Sequence, residues 1–423
     1  MKEKQDKINR RKFLKTVGAA GTGALFASGM SSRTNADKSD SGQESKEVEF
    51  PQVPTRKLGK TNIDVPILSF GAMFNIIENQ LMLHNTLKWG VNYWDTANSY
   101  AGGNSEIGIG KFFARNPELR EKVLLVTKAS NAKKEPTPPA IAKKVEELLQ
   151  ESLRRMNTDY IDIYYGVHEL RDPVQLDDEL RKWAESAKKR KLIRYFGVTT
   201  HINMAECLQA AAKLDWIDVI MVKYNYRLMQ DAKMQAAVEA CHKANIGLVA
   251  MKVQALRRKE KLDEAVTDKM VKHFEQQGFT AGQAKIKAVL DDKRFASACV
   301  GMKTIGLLTE NVAAALDKTK LADSDQQVLA EYARATCDGF CAGCANICES
   351  ALSEPLPYIS DVMRYLMYYD SYGDKDMARK LFAKIPAEAK SRLLSADYGL
   401  AEARCPQRIP IAKVVAEAVS KLG

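Results

Sequence analysis

Eight apolar runs, most of them ending in a polar residue, recur along the chain at intervals of roughly 30 residues. They span 67–73, 91–95, 123–128, 160–168, 195–200, 219–225, 246–252 and 295–303. Helical patterns near 78–89, 105–114, 139–156, 175–190, 204–214, 231–243, 280–291 and 308–318 separate them. Strands that alternate with helices in this way pair in parallel, because each return needs a long crossover. Eight such units close into an α/β barrel, a (β/α)8 TIM barrel, with its chemistry at the C-terminal ends of the strands. The stretch 51–66, with Leu58-Gly59-Lys60-Thr61 as its turn, reads as a hairpin closing the barrel floor.

The spacing predicts three regions: a targeting segment and disordered linker over 1–48, the barrel over 49–323 and a C-terminal module over 324–423. A charged insertion over 257–277 reads as an extra helix after the seventh strand. In the last region the pattern changes; cysteines cluster, and 359–369 and 374–382 read as helices. An apolar content of 45% supports a sizeable core in 423 residues.

The net charge of +11 is partly local, since residues 1–36 hold eight Lys or Arg against two acids. The rest is spread along helices where Lys and Glu intersperse, so the charge does not point to nucleic acid. No apolar stretch reaches the roughly 20 residues that cross a bilayer. Arg10-Arg11-Lys12-Phe13-Leu14-Lys15, followed by the weakly apolar run 17–26, resembles a twin-arginine export signal. That resemblance implies export through the twin-arginine machinery, to the periplasm or the outer face of the cytoplasmic membrane. Ala36 is a candidate cleavage site, with an uncleaved anchor as the alternative.

Asp95, Lys128 and His168 end three successive predicted strands, and Tyr100 follows Asp95 in the loop. Singly, each has a plain structural role: a cap, a snorkelling lysine, a core histidine. Together at one barrel mouth they suit carbonyl reduction, which needs a hydride on carbon and a proton on oxygen. A tyrosine can supply the proton, a neighbouring ammonium lowers its pKa, a carboxylate holds the ammonium, and a histidine orients the substrate oxygen.

With these four in place the chain resembles the aldo/keto reductase family over about 54–320. The resemblance is most specific in Gly90-Val91-Asn92-Tyr93-Trp94-Asp95-Thr96-Ala97-Asn98-Ser99-Tyr100, in Leu125-Val126-Thr127-Lys128 and in the stretch ending at His168. It implies Asp95, Tyr100, Lys128 and His168 as the catalytic set. It also implies an extended nicotinamide cofactor, NADP(H) or NAD(H), and a small carbonyl or alcohol substrate. The implied cofactor contacts are Gly71, Met73, Thr199, Asn225, Met251 and Lys252. The phosphate and adenine clamp would be Gly301, Met302, Lys303, Thr304, Glu310 and Asn311. Two departures stand out: Met221 replaces the family's usual carboxamide-binding Gln, and no Arg follows Lys303 in the eighth loop. A catalytically idle dinucleotide-binding redox sensor or scaffold is the alternative reading.

Five of eight cysteines lie in the last 87 residues. Four of them form the run Cys337-x3-Cys341-x2-Cys344-x3-Cys348, and Cys405-Pro406 stands 57 residues further on. Close thiols admit disulfides, zinc or an iron–sulfur cluster. The Cys-x2-Cys-x3-Cys core with a remote Cys-Pro resembles a bacterial ferredoxin run. It also resembles the ferredoxin-like tail found on some aldo/keto reductases. The resemblance implies one [4Fe–4S] cluster and a redox partner. The leading ligand set is Cys337, Cys341, Cys344 and Cys405, with a local set that includes Cys348 as the competing assignment. Cys207, Cys241 and Cys299 read as buried structural residues.

Overall fold

The computed structural model describes residues 50–130, 132, 135–256, 264–354 and 356–423. The twin-arginine segment expected over 1–48 lies outside these residues, as does 257–263 of the expected insertion.

A two-stranded antiparallel ribbon opens the described chain: β1 (Thr55–Lys57) pairs with β2 (Asp64–Pro66). The barrel strands follow as β3 (Leu68–Gly71), β4 (Tyr93–Asp95), β5 (Leu124–Ser130), β6 (Ile161–His168), β7 (Ile193–Thr200), β8 (Val219–Lys223), β9 (Gly247–Met251) and β10 (Ser297–Gly301). β3 to β10 are all parallel and close through β10 on β3. The expected barrel is therefore the observed one; most strands are shorter than their apolar runs, while β5 and β7 run longer.

The ribbon plugs the floor. Leu58 and Val65 are fully buried in the barrel lumen with Tyr93, Val126, Ile163, Tyr165, Val219, Met221 and Val249. Gly59 makes this possible: at φ +49°, an added Cβ would sit 2.4 Å from the Gly247 nitrogen, a clash no other residue avoids. Below the lumen, Asp162 accepts from Arg120 at 3.1 Å, Arg194 at 2.6 Å and the Leu125 amide at 2.9 Å. These bonds tie β5, β6 and β7 together at their N-terminal ends.

Between the strands run α1 (Gln80–Lys88), α2 (Asn104–Arg115), α3 (Pro138–Met156), α4 (Asp178–Lys189), α5 (Met204–Ala211), α6 (Ala232–Lys243), α7 (Glu264–Gln276), α8 (Ala281–Asp291) and α9 (Ile305–Leu316). Local chemistry fixes several starts. Thr137, Asp177, Asp231 and Thr304 each accept a hydrogen bond from a first-turn amide, and Thr280 forms a full capping box with Gln283. α7 occupies the second half of the expected insertion. Among the described residues, no helix is long and apolar enough to cross a membrane.

α10 (Asp323–Ala335) still packs on the barrel; its Leu329 and Tyr332, with Phe340, belong to the barrel's hydrophobic core. A second core begins at Ala351 and holds α12 (Ile359–Asp370), α13 (Lys375–Ala383) and α16 (Ile411–Leu422). The short helices α11 (Ala345–Cys348), α14 (Ala387–Ser395) and α15 (Gly399–Arg404) complete it. This helical unit sits over the C-terminal ends of the strands: Met73, just past β3, packs against its core.

Candidate active site and thiol cavity

Three of the four residues expected from sequence meet, and the fourth, His168, ends the neighbouring strand at the same mouth. The Lys128 ammonium donates to Asp95 Oδ2 at 2.6 Å and to the Thr96 carbonyl at 2.6 Å. Both side chains are almost completely buried. The same ammonium lies 4.8 Å from the centre of the Tyr100 ring. Tyr100 opens a 3-10 turn over Tyr100–Gly103, and His168 ends β6 with Nδ1 2.7 Å from Thr199 Oγ1. Burial pushes the Asp95 carboxyl above the usual range, and Lys128 pulls it back. The thiol of Cys299, on β10, lies beside Asp95 and is pushed well up by burial.

Tyr100 departs from expectation in one respect. Desolvation pushes its hydroxyl well above the ordinary tyrosine range, and Asp95, Tyr368 and Tyr372 push the same way. The neighbouring ammonium does not outweigh this. A proton held so firmly suits a tyrosine that donates rather than one resting as phenolate.

The expected cofactor contacts occupy the mouth unevenly. Gly71 lies within 3.0 Å, measured from an added Cβ, of the Val300 carbonyl, so the two strands approach closely there. Lys303 is exposed, and Thr304 caps α9 through the Leu307 amide at 3.2 Å. A helix start beside a lysine is a setting suited to phosphate. Gly301 is exposed and Met302 fully buried. Glu310 accepts from Thr280 at 2.5 Å, and Asn311 is buried. Asn225 donates to the Lys252 carbonyl at 3.1 Å and accepts from the Arg227 amide, so its side chain braces two loops. Met251 packs at the lumen wall, and Met221 is buried inside it.

Several mouth residues carried no sequence signal. From α12, Arg364 reaches Glu169 and His201, and also pairs with Asp361 at 2.5 Å. Arg171 pairs with Asp361 and lies 3.7 Å from Glu169. His201 Nε2 lies 2.7 Å from Glu169, and burial holds its pKa well below the usual histidine range. Lys252 donates to the Tyr368 hydroxyl at 3.2 Å. Lys223 donates to the Cys341 carbonyl at 3.2 Å, and burial lowers its pKa to about 8. Two of these had a readable cue: Lys252, which ends the run 246–252 and was an expected cofactor contact, and Lys223, a charge inside the apolar run 219–225. Helix contacts across roughly 200 residues of sequence leave no local pattern.

Gly343 lets the module's loop lie against these strand ends. At φ +90°, an added Cβ would stand 2.2 Å from the His201 carbonyl and 2.9 Å from Lys223 Nζ. The loop is pinned there by the Asn203 amide donating to the Gly343 carbonyl at 2.7 Å.

Behind that loop, Cys341, Cys344, Cys348 and Cys405 line one small cavity, together with Pro406 and Ile411. Cys337 does not line it, so the structure groups Cys348 with the other three where Cys337 was expected. All eight cysteines are free thiols. Burial raises Cys341, and it lifts Cys344 to about 12. Among the described residues, no three His, Cys, Asp or Glu side chains converge closely enough to hold a single metal ion. The four thiols instead surround a space between them.

The model of the aldo/keto reductase family matches residues 70–331. The chain belongs to that family. The match covers the barrel and stops short of the cysteine run. The fold is shared with a solved aldo-keto reductase, AKR11C1 from Bacillus halodurans in its holo form. The TM-score is 0.54 at 22% identity, covering 66% of this chain and 96% of that one. Aldo-keto reductase yakc from Schizosaccharomyces pombe, whose name carries NADP(+), is 28% identical over 213 residues. That alignment covers 47% of this chain and 60% of the relative. An uncharacterized oxidoreductase of Bacillus subtilis, YrpG, is 26% identical over 211 residues, covering 46% of this chain and 64% of its own. The chain thus spans about three-fifths of the length of these curated relatives.

Proposed function

We propose that this protein is a nicotinamide-dependent oxidoreductase acting on a small carbonyl or alcohol substrate. The observation that carries the reading is the buried Lys128–Asp95 pair, 2.6 Å long, beneath the Tyr100 ring at the strand ends. A nicotinamide dinucleotide, bound, would supply or accept the hydride at carbon. Tyr100 donates its proton to the carbonyl oxygen in the reducing direction. Lys128, held by Asp95 and the Thr96 carbonyl, offsets the negative charge left on Tyr100. His168, braced by Thr199, orients the carbonyl oxygen. Lys303 and Thr304 at the start of α9 suit the dinucleotide's phosphates. No Gln stands at position 221 to bind its carboxamide, so that contact falls to other residues at the mouth.

The module adds a second redox element in this reading. A [4Fe–4S] cluster keeps its four thiolates farther apart than a single ion does, so four thiols around one cavity fit a cluster better than zinc. Cys341, Cys344, Cys348 and Cys405 would hold it, in the spacing Cys-x2-Cys-x3-Cys with a remote Cys-Pro. Its chemistry is one-electron exchange with a redox partner. The buried thiols lose their protons on ligation. The Arg10-Arg11 motif supports export of the folded protein by the twin-arginine route, to the periplasm or the outer face of the cytoplasmic membrane.

The test is carbonyl turnover with NADPH and NADH across a panel of aldehydes and ketones, on protein purified without oxygen. Turnover that a Tyr100→Phe change abolishes supports the reading. Tight dinucleotide binding with no turnover on any carbonyl would instead favour a redox sensor, a reading to which Met221 lends weight.

A further inference from the structure

Between the ends of β7, β8 and β9 and the module lies a cavity that opens to solvent. Met363, Leu366, Met367 and Val414 give it an apolar module wall, and Lys223 and Lys252 face it from the barrel. Lys223 is 6% exposed. Its bonded partner is the Cys341 carbonyl, and the Phe340 ring lies 5.6 Å away. Lys252 is partnered by the Tyr368 hydroxyl and lies over the Tyr368 and Tyr372 rings. Among the described residues, neither ammonium is ion-paired with a carboxylate.

The other charges at the mouth are already balanced. Arg364 and Arg171 face Glu169 and Asp361, two cations against two anions. Asp338 lines the cavity and pairs with neither lysine. Lys223 is buried and Lys252 partly so, and holding such ammoniums without a carboxylate partner is costly unless an anion joins them. His201 lines the cavity and its ring centre lies 6.4 Å from that of His168, so cavity and tetrad are neighbours.

We infer that this cavity receives the anionic group of the substrate, so that the enzyme acts on carbonyl compounds bearing a carboxylate or phosphate on an apolar body. This rests on the carbonyl-reductase reading and deepens it. Lys223 and Lys252 take the anion, and the methionine-rich wall takes the apolar body. The same anionic chemistry could come from the dinucleotide's pyrophosphate, and the experiment separates the two sources.

The experiment compares para-carboxybenzaldehyde with para-methylbenzaldehyde as substrates of the full chain, alongside calorimetric titration with benzoate and with NADPH. The expected result is a preference of at least tenfold in kcat/KM for the carboxylated aldehyde. Lys223→Met should remove most of that preference and weaken benzoate binding, with NADPH affinity changed less than twofold. Lys223→Arg keeps the charge and should keep the preference, which guards against a fold-loss explanation. If Lys223→Met weakens NADPH and leaves the preference intact, the lysines serve the cofactor and the inference is overturned. Equal turnover of both aldehydes, unmoved by either variant, overturns it too while leaving the reductase reading standing. No turnover of any carbonyl overturns both.

Discussion

Arg364, on the module's α12, forms an ion pair with Glu169, the residue after His168. The neighbour of the proposed catalytic histidine is thus held by a residue nearly 200 positions away. The module is therefore part of the wall of the barrel mouth. Its Tyr368 and Tyr372 press the environment of Tyr100 further toward the protonated form.

Removing that clamp should loosen the seam. Breaking one side of a buried ion pair leaves an uncompensated charge and costs about 3–5 kcal/mol. Arg364→Met is expected to lower the urea midpoint by a corresponding amount and to speed amide exchange in Ile359–Asp370. Unchanged exchange in that helix would show that the apolar contacts alone hold the module.

Tyr100→Phe removes one hydroxyl and keeps the ring beside Lys128. A positioned general acid contributes about 10²–10⁴-fold, so kcat for carbonyl reduction should fall by at least 10²-fold. Because no hydrogen bond ties the hydroxyl to another element among the described residues, the melting temperature should stay within a few degrees. A variant with wild-type kcat would remove Tyr100 from the mechanism.

The grouping of thiols makes a ligand-by-ligand test possible. Cys348→Ser should lose most of the iron and acid-labile sulfide bound on anaerobic purification, and Cys337→Ser should retain them. About four irons per chain are expected in the parent protein. The reverse pattern would return Cys337 to the ligand set.

His201 gives stability a pH dependence with a fixed sign. Its unfolded pKa is about 6.5, and burial in the folded protein holds it well below that. The unfolded chain therefore binds the extra proton first as pH falls. The stability contribution is complete above pH 6.5 and declines below it, by up to about 1.4 kcal/mol per unit. His201→Gln should flatten the fall in melting temperature between neutral pH and pH 5 relative to the parent. An identical slope in both proteins would assign the dependence to other groups.

At the barrel floor, Asp162→Ala strands Arg120, whose side chain is 10% exposed. The expected cost is about 3 kcal/mol, read by denaturant unfolding. The tetrad lies at the opposite ends of the strands, so KM should not move.

The amino-acid order alone determined the eight-stranded barrel and the placing of Asp95, Tyr100, Lys128 and His168 at one mouth. Both follow from short-range rules: apolar runs buried on two faces, crossovers too long for antiparallel return, and strand ends that share one mouth. It also supplied the cysteine spacing, but not which four thiols share a cavity. That choice depends on α11 turning Cys348 inward and on Cys405 approaching across the second core. Tertiary structure alone decided what covers the mouth. Arg364, Tyr368 and Tyr372 meet Glu169, Lys252 and Tyr100 only because α12 packs over the strand ends, and packing between distant elements leaves no period in the sequence. The same packing shields the Tyr100 hydroxyl and raises its pKa, reversing the expectation drawn from its neighbouring lysine, because desolvation outweighs one nearby charge.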